Sequence, residues 1–400
     1  MDTNKKKVAF VIILILVVGA IWYLESLKVH PAPIGQSGAA LNLDALTSDN
    51  GTATSAPSTA GVPSAERAAL LQLAAADKAA GDQPAIEITD PTGFINASSD
   101  FTLASLIGKK VILLDFWTYS CINCVRTIPY LNAWYQKYGG EGLEIVGIHT
   151  PEFDFEKNLA NVQTAVKDYG IQYPVVLDSD QGTWNAYGNL YWPHEYLIDM
   201  AGYIVHDHIG EGDYDTTEAE IQKLLAERAT ILGTDAAAIA TSTVDIAPSD
   251  LSDINSPETY FGAERNSFLA NGIFFMNGNQ TLVAPATSSI GLNKLYLGGV
   301  WNFGDQYATN LSAGATITYE YDAGDVYMVA AGAATGTVVE VLQDGQPIGA
   351  AAGSDVHDGK VVISSDRLYD LVKNPDGGGE HTLQLIVNSP GLQAYTFTFG

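Results

Sequence analysis

Cysteine is nearly absent from this chain of 400 residues: there are two, Cys121 and Cys124, both in the stretch "FWTYSCINCVRTIPY". A structural disulfide framework is therefore excluded, and two thiols kept three positions apart point to chemistry rather than stapling. Basic residues are also scarce, 19 Lys and Arg against 46 Asp and Glu, for a net charge of -27. Without a basic face the chain is a poor partner for a nucleic-acid backbone, so that function class is excluded. Charged residues of both signs make up only 16% of the chain, which suits folded domains with weakly charged surfaces. The length predicts two or three domains.

Long apolar runs are few, and one stands at the N-terminus. After the lysines of "MDTNKKK", the 17 residues Val8 to Leu24 carry no charge. This is the short limit of a bilayer span, with Trp22 and Tyr23 suited to the interface. No small-x-small cleavage site follows, so the expectation is an uncleaved signal anchor over residues 1–28, with a cleaved signal as the main alternative. The lysines would stay in the cytoplasm. The protein would then be a single-pass protein of the cell membrane with its remainder extracytoplasmic.

Residues 29–83 are rich in Ala, Gly, Ser, Thr and Pro and read as a flexible linker, with helical composition in "SAERAALLQLAAADKAA". Residues 84–233 alternate buried-strand patterns ("KKVILLDFW", "LEIVGIH", "YPVVLD") with helical ones ("CVRTIPYLNAWYQKYGG", "EKNLANVQTAVKDYG", "TTEAEIQKLLAERATILG"), which predicts an α/β domain. Residues 234–258 read as a second linker. From 259 to 400, short alternating strands between Gly, Asp and Asn turns predict an antiparallel all-β sandwich.

A C-x-x-C where a buried strand meets a helix puts Cys121 at the helix N-terminus, where unsatisfied N–H groups favour a thiolate. Cys121 is the expected nucleophile and Cys124, one turn inside, the resolving thiol, the pair forming a redox-active Cys121–Cys124 disulfide. Asp115 lies within an apolar strand, where burial should raise its pKa and fit it to exchange a proton with Cys124. Pro129 should kink the helix. Ser120 and Asn123 are uncharged, which leaves the helix terminus as the main electrostatic influence. No metal or organic cofactor is needed. His206 and His208 share a strand face, but without further ligands they do not make a zinc site.

"LLDFWTYSCINCVRTIP" resembles the active-site segment of thioredoxin-like proteins: the buried acid six residues before the first cysteine, the Trp at 117, and the proline five after the second. The resemblance implies a thioredoxin fold with a cis-proline facing the thiols, which "YWPHEYLID" supplies as Pro193. Trp117, Trp192 and Pro193 would bind substrate. The extra strand and helix before Pro193 resemble the TlpA/ResA branch, in which an acid at the position of Glu152 tunes the thiols. "HTPEFDFEKN", "NLYWPHEYLID", "GEGDYD" and the ending "GLQAYTFTFG" are similar to the C-terminal region of DipZ proteins, from about residue 85 to 400. This implies a thiol–disulfide oxidoreductase acting on protein thiols or disulfides, in the reducing direction. A CcdA-type membrane domain, usual in DipZ proteins, would be the electron donor, and here one helix and a tether stand in its place.

Two other readings compete. A peroxiredoxin-like peroxidase uses P-x-x-x-T-x-x-C, and Thr118 fits this pattern, but Leu114 holds the proline position and Cys124 makes the site a dithiol. Alternatively, Trp301, Tyr307, Tyr319, Tyr321 and Tyr327 could form a stacking platform by which the C-terminal domain binds glycans of the cell wall; docking to protein or to the neighbouring domain is the other use of that surface.

Overall fold

The computed structural model describes residues 38–41 and 64–400, apart from 250, 252, 287, 288 and 334. The apolar run Val8 to Leu24 lies outside the described residues. Among the described residues no helix is long and apolar enough to cross a membrane.

The first sheet has eight strands: β1 (Ala40–Leu41), β2 (Gln83–Ile86), β3 (Gly93–Ile95), β4 (Val111–Trp117), β5 (Leu143–His149), β6 (Val175–Leu177), β7 (His194–Ile198) and β8 (Tyr203–Ile209). Their spatial order is β1-β2-β8-β7-β4-β5-β6-β3. β4, β5 and β6 run parallel, and β7 lies antiparallel to β4. Among the described residues five α-helices accompany them: α1 (Ser64–Ala80), α2 (Ile122–Tyr138), α3 (Leu159–Asp168), α4 (Gly182–Ala186) and α5 (Tyr214–Ile231). This is a thioredoxin-like fold. Every residue of β4 is buried, as a continuous β-branched and apolar run requires of a strand covered on both faces. Alternation splits the strand: Val111, Leu113 and Trp117 join the core that includes α2, while Ile112, Leu114 and Phe116 join the core on the opposite face.

Two expected linkers carry more structure than a tether. α1 buries Leu70 and Ala74, and β1 and β2 extend the sheet, so the domain begins before residue 84. Leu70 packs into the core beside Leu41 and Ile107, and this docking offsets a thin apolar face. Within 234–258, Ile239, Val244 and Ile246 pack on the α2 side of the sheet, and the Val244 N–H donates to Glu218. Pro129 sits inside α2 without ending it.

Residues 259–400 form an all-β domain of antiparallel strands. The strand Leu295–Phe303 pairs with Ala315–Asp322 at its start and with Gly278–Leu282 along its second half, so both halves of the domain share it. They enclose one core containing Trp301, Tyr319, Tyr321, Tyr369 and Phe397. Phe153 and Phe155 of the first domain pack with Val329, Ala331 and Tyr395 of the second. Phe153 meets Tyr395 edge-on at 5.0 Å between ring centroids.

Candidate active site

The turn leaving β4 delivers Cys121 to the N-cap position of α2, partly exposed, while Cys124 is buried one turn in. Both thiols are free. Period two puts Asp115 on the α2 face of β4, between Leu113 and Trp117. Asp115 is 1% exposed, and its Oδ1 has no hydrogen-bond partner. Burial pushes its carboxyl up to about 7. The Cys124 thiol is pushed well above its ordinary value, first by burial, then by Cys121 and by Asp115. The base and the resolving thiol therefore sit in the same dry compartment.

The Trp192–Pro193 bond is cis, and the Trp192 carbonyl oxygen lies 4.0 Å from Cys121 Sγ. Trp192 is held from its side chain: the indole N–H donates to the Thr150 carbonyl (3.0 Å) and the ring stacks on Trp184 at 4.2 Å. Trp117, by contrast, is fully buried, its ring in a T-shaped contact with His149. It supports the site from below, and the expectation that it contacts substrate is corrected: as a large flat side chain ending a doubly covered strand, it fills core. His149 is held down to about 3 by burial and is neutral.

Three carboxylates complete the picture. Glu152 faces the cleft beside Cys121 and is held by the second domain: Arg265 Nη1 lies 2.7 Å and the Tyr260 hydroxyl 3.0 Å from its Oε1. Glu156, not singled out in the sequence, is fully buried; it accepts from Ser120 Oγ (2.6 Å) and from the N–H groups of Glu152 (2.6 Å) and Phe153 (2.9 Å). It thereby ties the turn before Cys121 to the loop after β5. Burial, against the Ser120 hydrogen bond, pushes it up to about 7. Glu195, also missed, is 1% exposed with neither side-chain oxygen partnered, and it faces Asp115 across the β4–β7 pair. Burial and the Asp115 charge raise it well above the ordinary range.

The second domain roofs the thiols. A cleft of about 510 Å³ runs from Cys121, Glu152 and Trp192 to Tyr260, Arg265 and Phe399. Tyr119 donates to the Asp366 carbonyl (3.1 Å), and the Asp154 N–H donates to Gln306 (3.0 Å). On α2, Arg126 makes a two-pronged pair with Glu211 at 2.6 and 2.7 Å. The expected aromatic platform is corrected here: Trp301, Tyr319 and Tyr321 are fully buried in the β-domain core, because alternation turns them inward. Tyr307 packs with Tyr395 at the domain interface, and Tyr327 hydrogen-bonds Asp325. Among the described residues no group of three or more His, Cys, Asp or Glu could hold a metal ion.

Two family models match the chain: the AhpC/TSA family over residues 82–207 and the thioredoxin-like C-terminal domain over residues 256–400. Protein DipZ of Mycobacterium tuberculosis is 38% identical over 77% of this chain, and the match spans 42% of the DipZ length, so the chain spans less than half of that relative. Thiol-disulfide oxidoreductase ResA of Bacillus thuringiensis is 31% identical over 31% of this chain and 75% of its own length. Thiol-disulfide oxidoreductase YkuV of Bacillus subtilis is 29% identical over 36% of this chain and 96% of its own. The chain belongs to the thioredoxin-like thiol–disulfide oxidoreductases of the TlpA/ResA branch, and it is similar to DipZ across both of its folded domains.

Proposed function

We propose that the chain reduces disulfides of protein substrates outside the cytoplasm, anchored by its N-terminal apolar run. One observation carries the chemistry: a partly exposed Cys121 at a helix N-terminus beside the Trp192 carbonyl, with Cys124 buried in the compartment of an unpaired, up-shifted Asp115. The Cys121 thiolate attacks one sulfur of the substrate disulfide, and the other substrate sulfur leaves as a thiolate that takes a proton from solvent. Cys124 then gives its proton to Asp115 and attacks Cys121 Sγ. The Cys121–Cys124 bond forms, the mixed disulfide breaks, and the substrate is released with both sulfurs reduced. Glu195, opposite Asp115 on the neighbouring strand, is a second buried acid in the same compartment. Glu152, clamped by Arg265, sets the charge near Cys121.

The reducing direction is the one the TlpA/ResA resemblance implies. A membrane donor of CcdA type would return the two electrons that each cycle consumes. The reduction potential tests this: a value near about -270 mV, that of thioredoxin, supports a reductant, and one near about -120 mV, that of DsbA, contradicts it.

The AhpC/TSA match and the buried Thr118, three residues before Cys121, favour a second reading, peroxide reduction at Cys121. Hydrogen peroxide turnover measured beside reduction of a disulfide in an unstructured peptide separates the two. Peptide reduction without rapid peroxide consumption supports exchange; the reverse supports the peroxidase.

A further inference from the structure

The roof over Cys121 bears on which disulfides reach it, an inference that rests on the exchange reading above. A volume of about 510 Å³ is that of a pocket that encloses a small ligand or a short length of chain. Docking of a folded partner instead takes about 800 Å² of open surface on each side. Among the described residues the Glu152–Arg265 pair, the Tyr119–Asp366 bond and the Phe153–Tyr395 contact hold the β domain against the active-site face, so that Cys121 opens into a cleft between the domains. The rim next to Trp192 is apolar: Leu190 is 66% and Tyr191 40% exposed. Three carboxylates (Glu152, Glu211, Glu258) against two guanidiniums (Arg126, Arg265) line the cleft, and the chain as a whole carries -27.

We infer that the interdomain cleft selects an extended, non-acidic polypeptide segment whose cysteine is flanked by apolar side chains, and that it excludes a disulfide fixed on the surface of a folded protein. The segment lies along Trp192–Pro193 with its apolar flank on Leu190 and Tyr191. The β domain is then half of the substrate site, and Arg265 is a positioning residue that holds the roof down.

The test uses the full reduced chain and one short disulfide sequence presented in two ways, as a free unstructured peptide and grafted into a rigid surface loop of a stable carrier protein. The free peptide should show a kcat/KM at least about tenfold higher. Asp in place of Leu beside its cysteine should lower that value. Arg265→Ala should narrow the peptide-to-carrier ratio, and Leu190→Glu, at the exposed rim, should lower turnover of the apolar peptide alone. Equal turnover of peptide and carrier overturns the cleft inference and leaves exchange intact. Turnover of neither overturns exchange, and alkylation of Cys121 then decides the cleft. Labelling by iodoacetamide with none by a maleimide mounted on a folded protein supports the roof; equal labelling overturns it.

Discussion

Glu195 stands directly opposite Asp115 across the antiparallel strands β4 and β7, and the pair is buried beside Cys124 on one face of the sheet. Neither carboxyl is neutralised by a basic partner: the orphaned oxygens are Asp115 Oδ1 and both of Glu195. Two acids this close in a dry core titrate as a pair, one proton leaving well before the other. Burial raises Asp115 to about 7, and burial with the Asp115 charge raises Glu195 well above the ordinary carboxyl range, so Asp115 is the member assigned to take the Cys124 proton.

The pH dependence of resolution follows. Asp115 accepts the Cys124 proton only when ionised, so the resolving step should speed up as pH rises through about 7. Asp115→Asn should slow it by about 10²-fold at pH 8 and remove that rise, while Glu195→Gln should keep the rise near 7. Stopped-flow tryptophan fluorescence of mixed-disulfide resolution checks both. A rise that persists in Asp115→Asn contradicts the assignment.

The same acid has a sign for stability. A carboxyl whose folded pKa is raised favours the folded state while protonated, and the advantage is lost as pH climbs from the unfolded value of 3.8 to about 7. Asp115→Asn should therefore be more stable than the wild type above pH 7. The gain is on the order of 4 kcal/mol at most, since a buried amide with unmade hydrogen bonds has its own cost. Urea denaturation at pH 5 and pH 8 measures the difference between the two chains.

Glu156→Ala removes the acceptor for Ser120 and for the backbone N–H groups of Glu152 and Phe153. It leaves buried donors unpaired, each at about 1–3 kcal/mol. The expected result is a lower denaturant midpoint together with slower exchange, because the turn that presents Cys121 loses its tie. Unchanged stability would show that water replaces the carboxylate.

Phe153→Ala empties the apolar contact between the domains, where Phe153 is 1% exposed against Tyr395. A cost of about 3–5 kcal/mol is expected, falling on the interface rather than on either core. Differential scanning calorimetry should then resolve two transitions for the variant and a single coupled one for the wild type.

Much of this site was readable because its chemistry is local. Asp115, Cys121 and Cys124 fall on one strand, one turn and one helix, so period two and the C-x-x-C spacing place them without long-range information. Trp192 and Pro193 are distant in sequence but came with the resemblance. Glu195 is not legible locally because "HEYLI" opens with two polar residues, as a strand end that reaches solvent does, whereas β7 is buried throughout. Glu156 reads as an ordinary surface charge in "EFDFEKN", and only the fold turns it inward under Ser120. The Glu152–Arg265 clamp joins residues 113 apart in two domains, and no local pattern reports such a contact. α1 was visible in composition but read as part of a tether, since the surface that docks Leu70 lies in another segment of the chain.

The most direct test of the central claim is mass spectrometry of mixed disulfides trapped on the full-length chain. Cys124→Ser leaves Cys121 free to attack with nothing to resolve the product, so substrate should accumulate covalently on Cys121. Cys121→Ser leaves only the buried Cys124 and should trap none. Equal trapping by the two variants, or none by either, would contradict the assignment of Cys121 as nucleophile and Cys124 as resolving thiol.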